Sequence, residues 1–78
     1  MPGRKPVSPD TSTFRGRIGE IIRRRRMRKK LSVEDAAAAT GKPAQTWYNW
    51  ERGRVLSIDA LPAIAAALEC TPRQLLPE

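Results

Sequence analysis

From Thr13 onward the apolar positions recur with helical spacing. Phe14, Ile18, Ile21 and Ile22 stand at i, i+4, i+7 and i+8, one face of a helix, and Thr13 is placed to cap its start. Continuing that face past Ile22 reaches Arg25, Arg26 and Lys29, so the basic run RRRRMRKK from Arg23 to Lys30 extends an amphipathic helix. Arg and Lys are good helix formers, and their aliphatic stems can lie along apolar surface. Met27 falls on the opposite face with no evident role.

After Leu31 the pattern breaks at Ser32, a good N-cap, and Glu34 and Asp35 in the next turn suit a helix dipole. A second helix is expected from Val33 through four alanines to Thr40, ending at Gly41, which can take a left-handed conformation. Beyond the turn Gly41-Lys42-Pro43, a third helix is expected over Ala44 to Arg52. Trp47 and Trp50 lie three apart in it, Trp47 and Glu51 four apart, and Gly53 stops it. Arg54 to Leu56 reads as a loop.

Ser57 is expected to cap a fourth helix whose apolar face is Leu61, Ile64, Ala65 and Leu68, with Pro62 just inside its second turn. Thr71-Pro72-Arg73-Gln74 then carries the N-cap, first-turn proline and capping-box glutamine of a last short helix closed by Leu75 and Leu76. No strand-like alternation or internal repeat occurs. The pattern predicts an all-α fold, a bundle of about five short helices over residues 14–78. Residues 1–13, with Pro2, Pro6, Pro9 and the cationic Arg4 and Lys5, read as a flexible basic arm. Such an arm either tracks a DNA groove or is inert.

Composition narrows the chemistry. The 78 residues carry 15 Lys+Arg against 8 Asp+Glu, a net charge of +7, and seven of the eight residues in the Arg23–Lys30 run are cationic. With no His and one cysteine, Cys70, there is neither a disulfide framework nor a donor set for zinc or iron, and no cofactor is expected. No Gly-rich phosphate cradle or nucleophile elbow is present, which argues against an enzyme. No apolar run reaches the ~20 residues of a membrane span, and the start MPGRKPVSPDTST has no secretory apolar stretch. A cytoplasmic protein without a membrane or small-molecule partner is expected, and its positive field points to nucleic acid.

Two short helices joined by a Gly-containing turn form a helix-turn-helix layout. The stretch LSVEDAAAATGKPAQTWYNWERGR, followed by LPAIAAALECTPRQLL, closely resembles the lambda-repressor-like helix-turn-helix family of phage repressors, Cro proteins and bacterial regulators. The resemblance covers roughly Ile18 to Leu76. It is most specific at Leu31-Ser32, Ala37, Gly41, Trp50-Glu51-Arg52-Gly53 and Ile64-Ala65…Leu68…Leu75-Leu76.

The resemblance implies that the third helix lies in the DNA major groove while the second crosses the backbone. Ala44, Gln45, Tyr48 and Asn49 are then the base-contacting side chains, the two amides being able to pair bidentately with adenine and Ala44 able to meet a thymine methyl. Arg26, Lys42, Thr46, Arg52 and Arg54 would hold phosphates, joined by the helix N-terminus at Ser32 and Val33. Trp47 and Trp50 are expected to be packing residues and not base-stacking platforms, with the large Trp47 offset by the small Ala36. A salt bridge from Arg26 to Glu51 is implied. Ile18, Ile22, Leu31, Ala37, Trp47, Trp50, Leu61, Ile64, Leu68 and Leu75 are the implied core. The sequence departs from the family at Val33, where a Gln is usual, at Lys30, where a Gly commonly ends the first helix, and in a loop over Gly53–Ser57 about one residue short.

Charge and resemblance together imply a sequence-specific regulator of double-stranded DNA, repressor- or Cro-like. It would act as a homodimer through the C-terminal helix (Leu75, Leu76, Pro77) and the turn near Cys70. Two alternatives stay open: an antitoxin- or antirepressor-like protein-interaction module, and a nonspecific DNA-binding recombination accessory protein.

Overall fold

The chain's fold, seen in a computed structural model that describes residues 12–77, is set by how each helix begins and ends. Four α-helices occur among the described residues: α1 (Phe14–Arg28), α2 (Val33–Thr40), α3 (Ala44–Glu51) and α4 (Leu61–Ala67). Two 3-10 turns, Ile58–Ala60 and Pro72–Leu75, flank α4, and no strand is present among the described residues. The fold is all-helical. Thr13 Oγ1 accepts from Gly16 N–H at 3.0 Å and Ser32 Oγ from Asp35 N–H at 3.0 Å, so α1 and α2 start on side-chain caps.

All four α-helices end in the same way. A residue with positive φ follows the last turn, and the next N–H reaches back five residues: Leu31 to Arg26 O, Lys42 to Ala37 O, Arg54 to Asn49 O and Cys70 to Ala65 O. This is the Schellman arrangement, which satisfies carbonyls the helix itself leaves open. Gly41 (φ 72) and Gly53 (φ 74) take the left-handed position in two cases, Lys30 (φ 59) and Glu69 (φ 57) in the others.

The core gathers Ile18 and Ile22 from α1, Val33, Ala36 and Ala37 from α2, and Trp47 and Trp50 from α3. Leu56, Leu61, Ile64, Ala65, Leu68 and Leu75 complete it. Trp47 and Ala36 are both fully buried in this core, and the two indoles meet edge to face at 5.6 Å. α1 lies unusually close to α3: a Cβ on Gly19 would sit 2.5 Å from Glu51 O and 2.8 Å from Trp50 O. One turn earlier Gly16 faces Gly53, whose own Cβ would fall 2.8 Å from Gly16 Cα.

Several expectations need correction. Phe14 sits on the apolar face of α1 yet remains 54% exposed, at the edge of an open groove that it lines with Leu56, Ile58 and Leu76. Leu31 is only partly buried at the core's edge, whereas Leu56, assigned to a loop, is buried. Ser57 does not cap α4: it precedes the 3-10 turn without a side-chain cap bond, and α4 begins at Leu61 after Ala60. Pro62 therefore occupies the first turn of α4, where its missing N–H costs nothing. The last helix is a single 3-10 turn, with the Thr71–Gln74 capping box present. α3 ends at Glu51 with Arg52 as its cap. The proposed arm lies almost wholly outside the described residues; within them, Thr13 is part of α1's cap.

Candidate nucleic-acid interface

The inner side of α3 is fixed by a polar network as well as by its tryptophans. Arg26 donates from Nε to Glu51 Oε2 at 2.5 Å and from Nη2 to Glu51 Oε1 at 3.3 Å, and from Nη1 to the Leu31 carbonyl at 2.8 Å. Trp47 Nε1–H also donates to Glu51 Oε2, at 2.6 Å. Glu51 is buried and the Arg26 side chain nearly so, so the fork-on-carboxylate pair ties the end of α1 to α3 inside the protein. Every buried side-chain N or O among the described residues has a partner. Three of the five N–H groups of Arg26 are committed to this network, leaving two directed elsewhere.

The outer side of α3 is polar and accessible. Gln45 and Tyr48 are exposed, while Asn49 and Thr46 are half-buried and Ala44 packs partly against the core. Gln45 Nε2 donates to Asn49 Oδ1 at 3.2 Å, and the Arg52 guanidinium lies 5.8 Å from the Tyr48 ring centroid. Both are i, i+4 contacts, which helical geometry brings together. The sequence held their signal in that spacing, as it did for Trp47 and Glu51, but spacing alone does not say which groups bond.

The candidate phosphate ligands ring this face unevenly. Lys42 and Arg54 are exposed at either end of α3, while Arg52 is half-buried and engaged with Tyr48. Ser32 spends an oxygen lone pair on its cap and keeps its O–H as a donor. The Val33 side chain is buried, so only its first-turn N–H is available there, and the exposed Glu34 and Asp35 already occupy the positive end of the α2 dipole. Arg23, Arg28 and Lys30 are exposed, Arg24 pairs with Glu20 at 3.1 Å, and Lys29 pairs with Glu69 at 2.6 Å. The single basic run is thus divided between a buried bridge, two surface ion pairs and open positive charge.

A family model described as a helix-turn-helix domain matches residues 17–78. The chain belongs to that family. Among solved structures, this helix-turn-helix protein is similar to the restriction-modification controller protein C.AhdI from Aeromonas hydrophila. The two share 33% identity over 77% of this chain and 92% of that one, with a TM-score of 0.72. It is also similar to a hypothetical transcription factor, NHTF, from Neisseria, at 26% identity over 96% and 87% of the two chains and a TM-score of 0.78. Hydroxypropylphosphonic acid epoxidase from S. wedmorenis is a third neighbour (27% identity, TM-score 0.69), but 77% of this chain spans only 32% of that enzyme. No curated protein matches the sequence.

Together the family and its full-length neighbours support a DNA-binding regulator, and the likeness to an enzyme is confined to about a third of that enzyme's length. Within this helix-turn-helix domain, α2 and α3 are the two helices of the motif, and α1 braces the second of them through Gly19 and the Arg26–Glu51 bridge. Among the described residues, no helix is long and apolar enough to cross a membrane and no group of His, Cys, Asp and Glu could hold a metal ion.

Proposed function

We propose that this chain is a sequence-specific regulator of transcription, repressor- or Cro-like, that places α3 in the major groove of double-stranded DNA. The observation that carries the reading is the two-sidedness of α3. Its inner side is locked by Trp47, Trp50 and the buried Glu51, while Gln45, Tyr48 and Asn49 line an accessible outer side between cationic ends at Lys42 and Arg54. A rigid helix carrying amide donors and acceptors suits base edges, and flanking cations suit phosphates. Ala44 would contact a thymine methyl. Arg26, Ser32, Val33, Lys42, Thr46, Arg52 and Arg54 would hold the backbone, Arg26 with the two N–H groups its bridge leaves.

The protein would act as a homodimer on a palindromic site. One such module buries only about 600–1,000 Å² on DNA, and two half-sites roughly 34 Å apart double the contact. Of the C-terminal leucines, Leu75 is consumed by the monomer core, whereas Leu76, Phe14 and Ile58 stay exposed around an apolar groove of about 330 Å³. That groove, and not Leu75, would supply the contact between copies.

The test is selection of bound sequences from a random duplex pool. A palindromic motif preferred by ~10³-fold or more over random DNA is expected. Binding without a motif would leave the nonspecific accessory protein, absence of binding the protein-interaction module, and a lone half-site would remove only the dimer.

A further inference from the structure

Met27 projects from the side of α1 that faces away from the core. It stands nine residues after the buried Ile18, about two and a half helical turns, and is therefore on the opposite side of the helix, where it is 52% exposed. Cations surround it. Arg23 and Arg24 lie four and three residues before it, the spacings that make neighbours on a helix, and Lys30 follows in the next turn, its N–H bonded to the Met27 carbonyl at 2.9 Å. Arg28 is exposed beside them. Against these cations stands the carboxylate of Glu20, which is paired with Arg24; Arg23, Arg28 and Lys30 have no acidic partner among the described residues. Arg24 and Arg28 are four apart, a repulsive spacing for like charges, so the face carries a cost that an anionic partner would relieve.

An apolar centre inside a charged rim is the layout of a protein docking site. Methionine suits the centre, since its unbranched thioether adapts to the surface it meets. The cations of this helix already take carboxylates: Arg24 holds Glu20 at 3.1 Å, and Lys29 holds Glu69 from a distant segment at 2.6 Å. A phosphate backbone would use the cations alone and leave the thioether against ionic oxygens. A membrane surface asks for a broad apolar stripe, and Ile18, Ile21 and Ile22 are spent on the core. We propose that this face of α1 docks an acidic amphipathic helix of a partner protein, with an apolar side chain seated on Met27 and flanking carboxylates paired with Arg23, Arg28 and Lys30. The outer side of α3 takes no part in it, so the inference stands independently of the DNA-binding reading.

The experiment titrates the full chain, at physiological salt, into three fluorescent probes: a helical glutamate peptide with a leucine stripe, the same peptide with serine for leucine, and a random-sequence duplex. The proteins are wild type, Met27→Ser, the double variant Arg23→Gln with Lys30→Gln, and Ile58→Ser. Each altered side chain is exposed, and thermal melts should stay close to wild type. Wild type should bind the leucine peptide about tenfold more tightly than the serine peptide. Met27→Ser should erase that preference and leave duplex binding unchanged. The double variant should weaken both peptides by several-fold, and Ile58→Ser, on the apolar groove, should leave the leucine preference intact. Equal binding of the two peptides by wild type, or a leucine preference that survives Met27→Ser, would overturn the docking face. A preference lost in Ile58→Ser would overturn it as well, by placing the leucines in the groove. Weaker duplex binding by Met27→Ser with the peptide preference unchanged would make the face a grip on DNA instead.

Discussion

Replacing Arg26 by alanine should unfold this protein tens of degrees earlier than wild type. The substitution removes three hydrogen bonds at once, two to Glu51 and one to the Leu31 carbonyl. It also leaves the Glu51 carboxylate, 6% exposed, with Trp47 Nε1–H as its remaining donor. Breaking a buried pair by deleting one partner costs about 3–5 kcal/mol, because a charge stays inside without its counter-charge. For a domain of this size, each kcal/mol lowers the melting temperature by roughly 4–8 °C, so a loss of about 20–30 °C is expected. Small domains hold only about 5–15 kcal/mol in total, and the variant would be near the limit of stability. The assay is thermal unfolding monitored by far-UV circular dichroism at neutral pH, with Arg26→Lys alongside. Lysine keeps the charge but not the planar fork, and should recover part of the loss. A melting temperature for Arg26→Ala within about 3 °C of wild type would refute the reasoning, since it would mean that the bridge contributes no more than an exposed surface pair.

Three further outcomes are expected from the backbone and the surface. Gly19→Ala should lower stability by about 1–3 kcal/mol or more, read as an earlier midpoint in urea unfolding, since the new methyl would overlap the backbone of Glu51 and force α1 away from α3. Lys30→Gly should raise stability by about 0.5–1 kcal/mol in the same assay: it removes the cost of a left-handed side-chain-bearing residue at φ 59, and glycine's greater unfolded freedom offsets part of the gain. Glu69 has its carboxyl held below the usual carboxylate range, first by the hydrogen bond from Lys29 and then by the lysine's charge. Its folded-state pKa being depressed, the pair's stabilisation should be fully present above about pH 5 and disappear as the pH falls through that lowered value. The difference in melting temperature between wild type and Glu69→Gln should therefore shrink on acidification, and added salt should shrink it at neutral pH as well.

Local chemistry was legible in the sequence wherever neighbours along the chain decide the outcome. Ser32, Thr13 and Thr71 act on amides three residues away, and Gly41 ends α2 through bonds within its own turn. The apolar spacing likewise selected Ile18, Ile22, Ile64 and Leu68 for the interior, because a single helical face must be covered by something. It could not say how far along the helix that cover extends. Phe14 keeps the spacing and loses the burial, and Leu56 has no helical context yet is buried, because the packing of the other helices determines where the core ends.

For the candidate interface the division is similar. The amides, tyrosine and cations of α3 and its flanks could be named from the sequence, and the resemblance to repressors put Arg26 opposite Glu51 across 25 residues of chain. Only the tertiary structure decided that Trp47 shares that carboxylate, that Gln45 leans on Asn49, and that two glycines let α1 press against α3. It also decided which cations in RRRRMRKK are spent and which are open. A run of like charges has no preferred partners along the chain; Arg26 and Lys29 find Glu51 and Glu69 only when folding brings distant segments within a few ångströms of them.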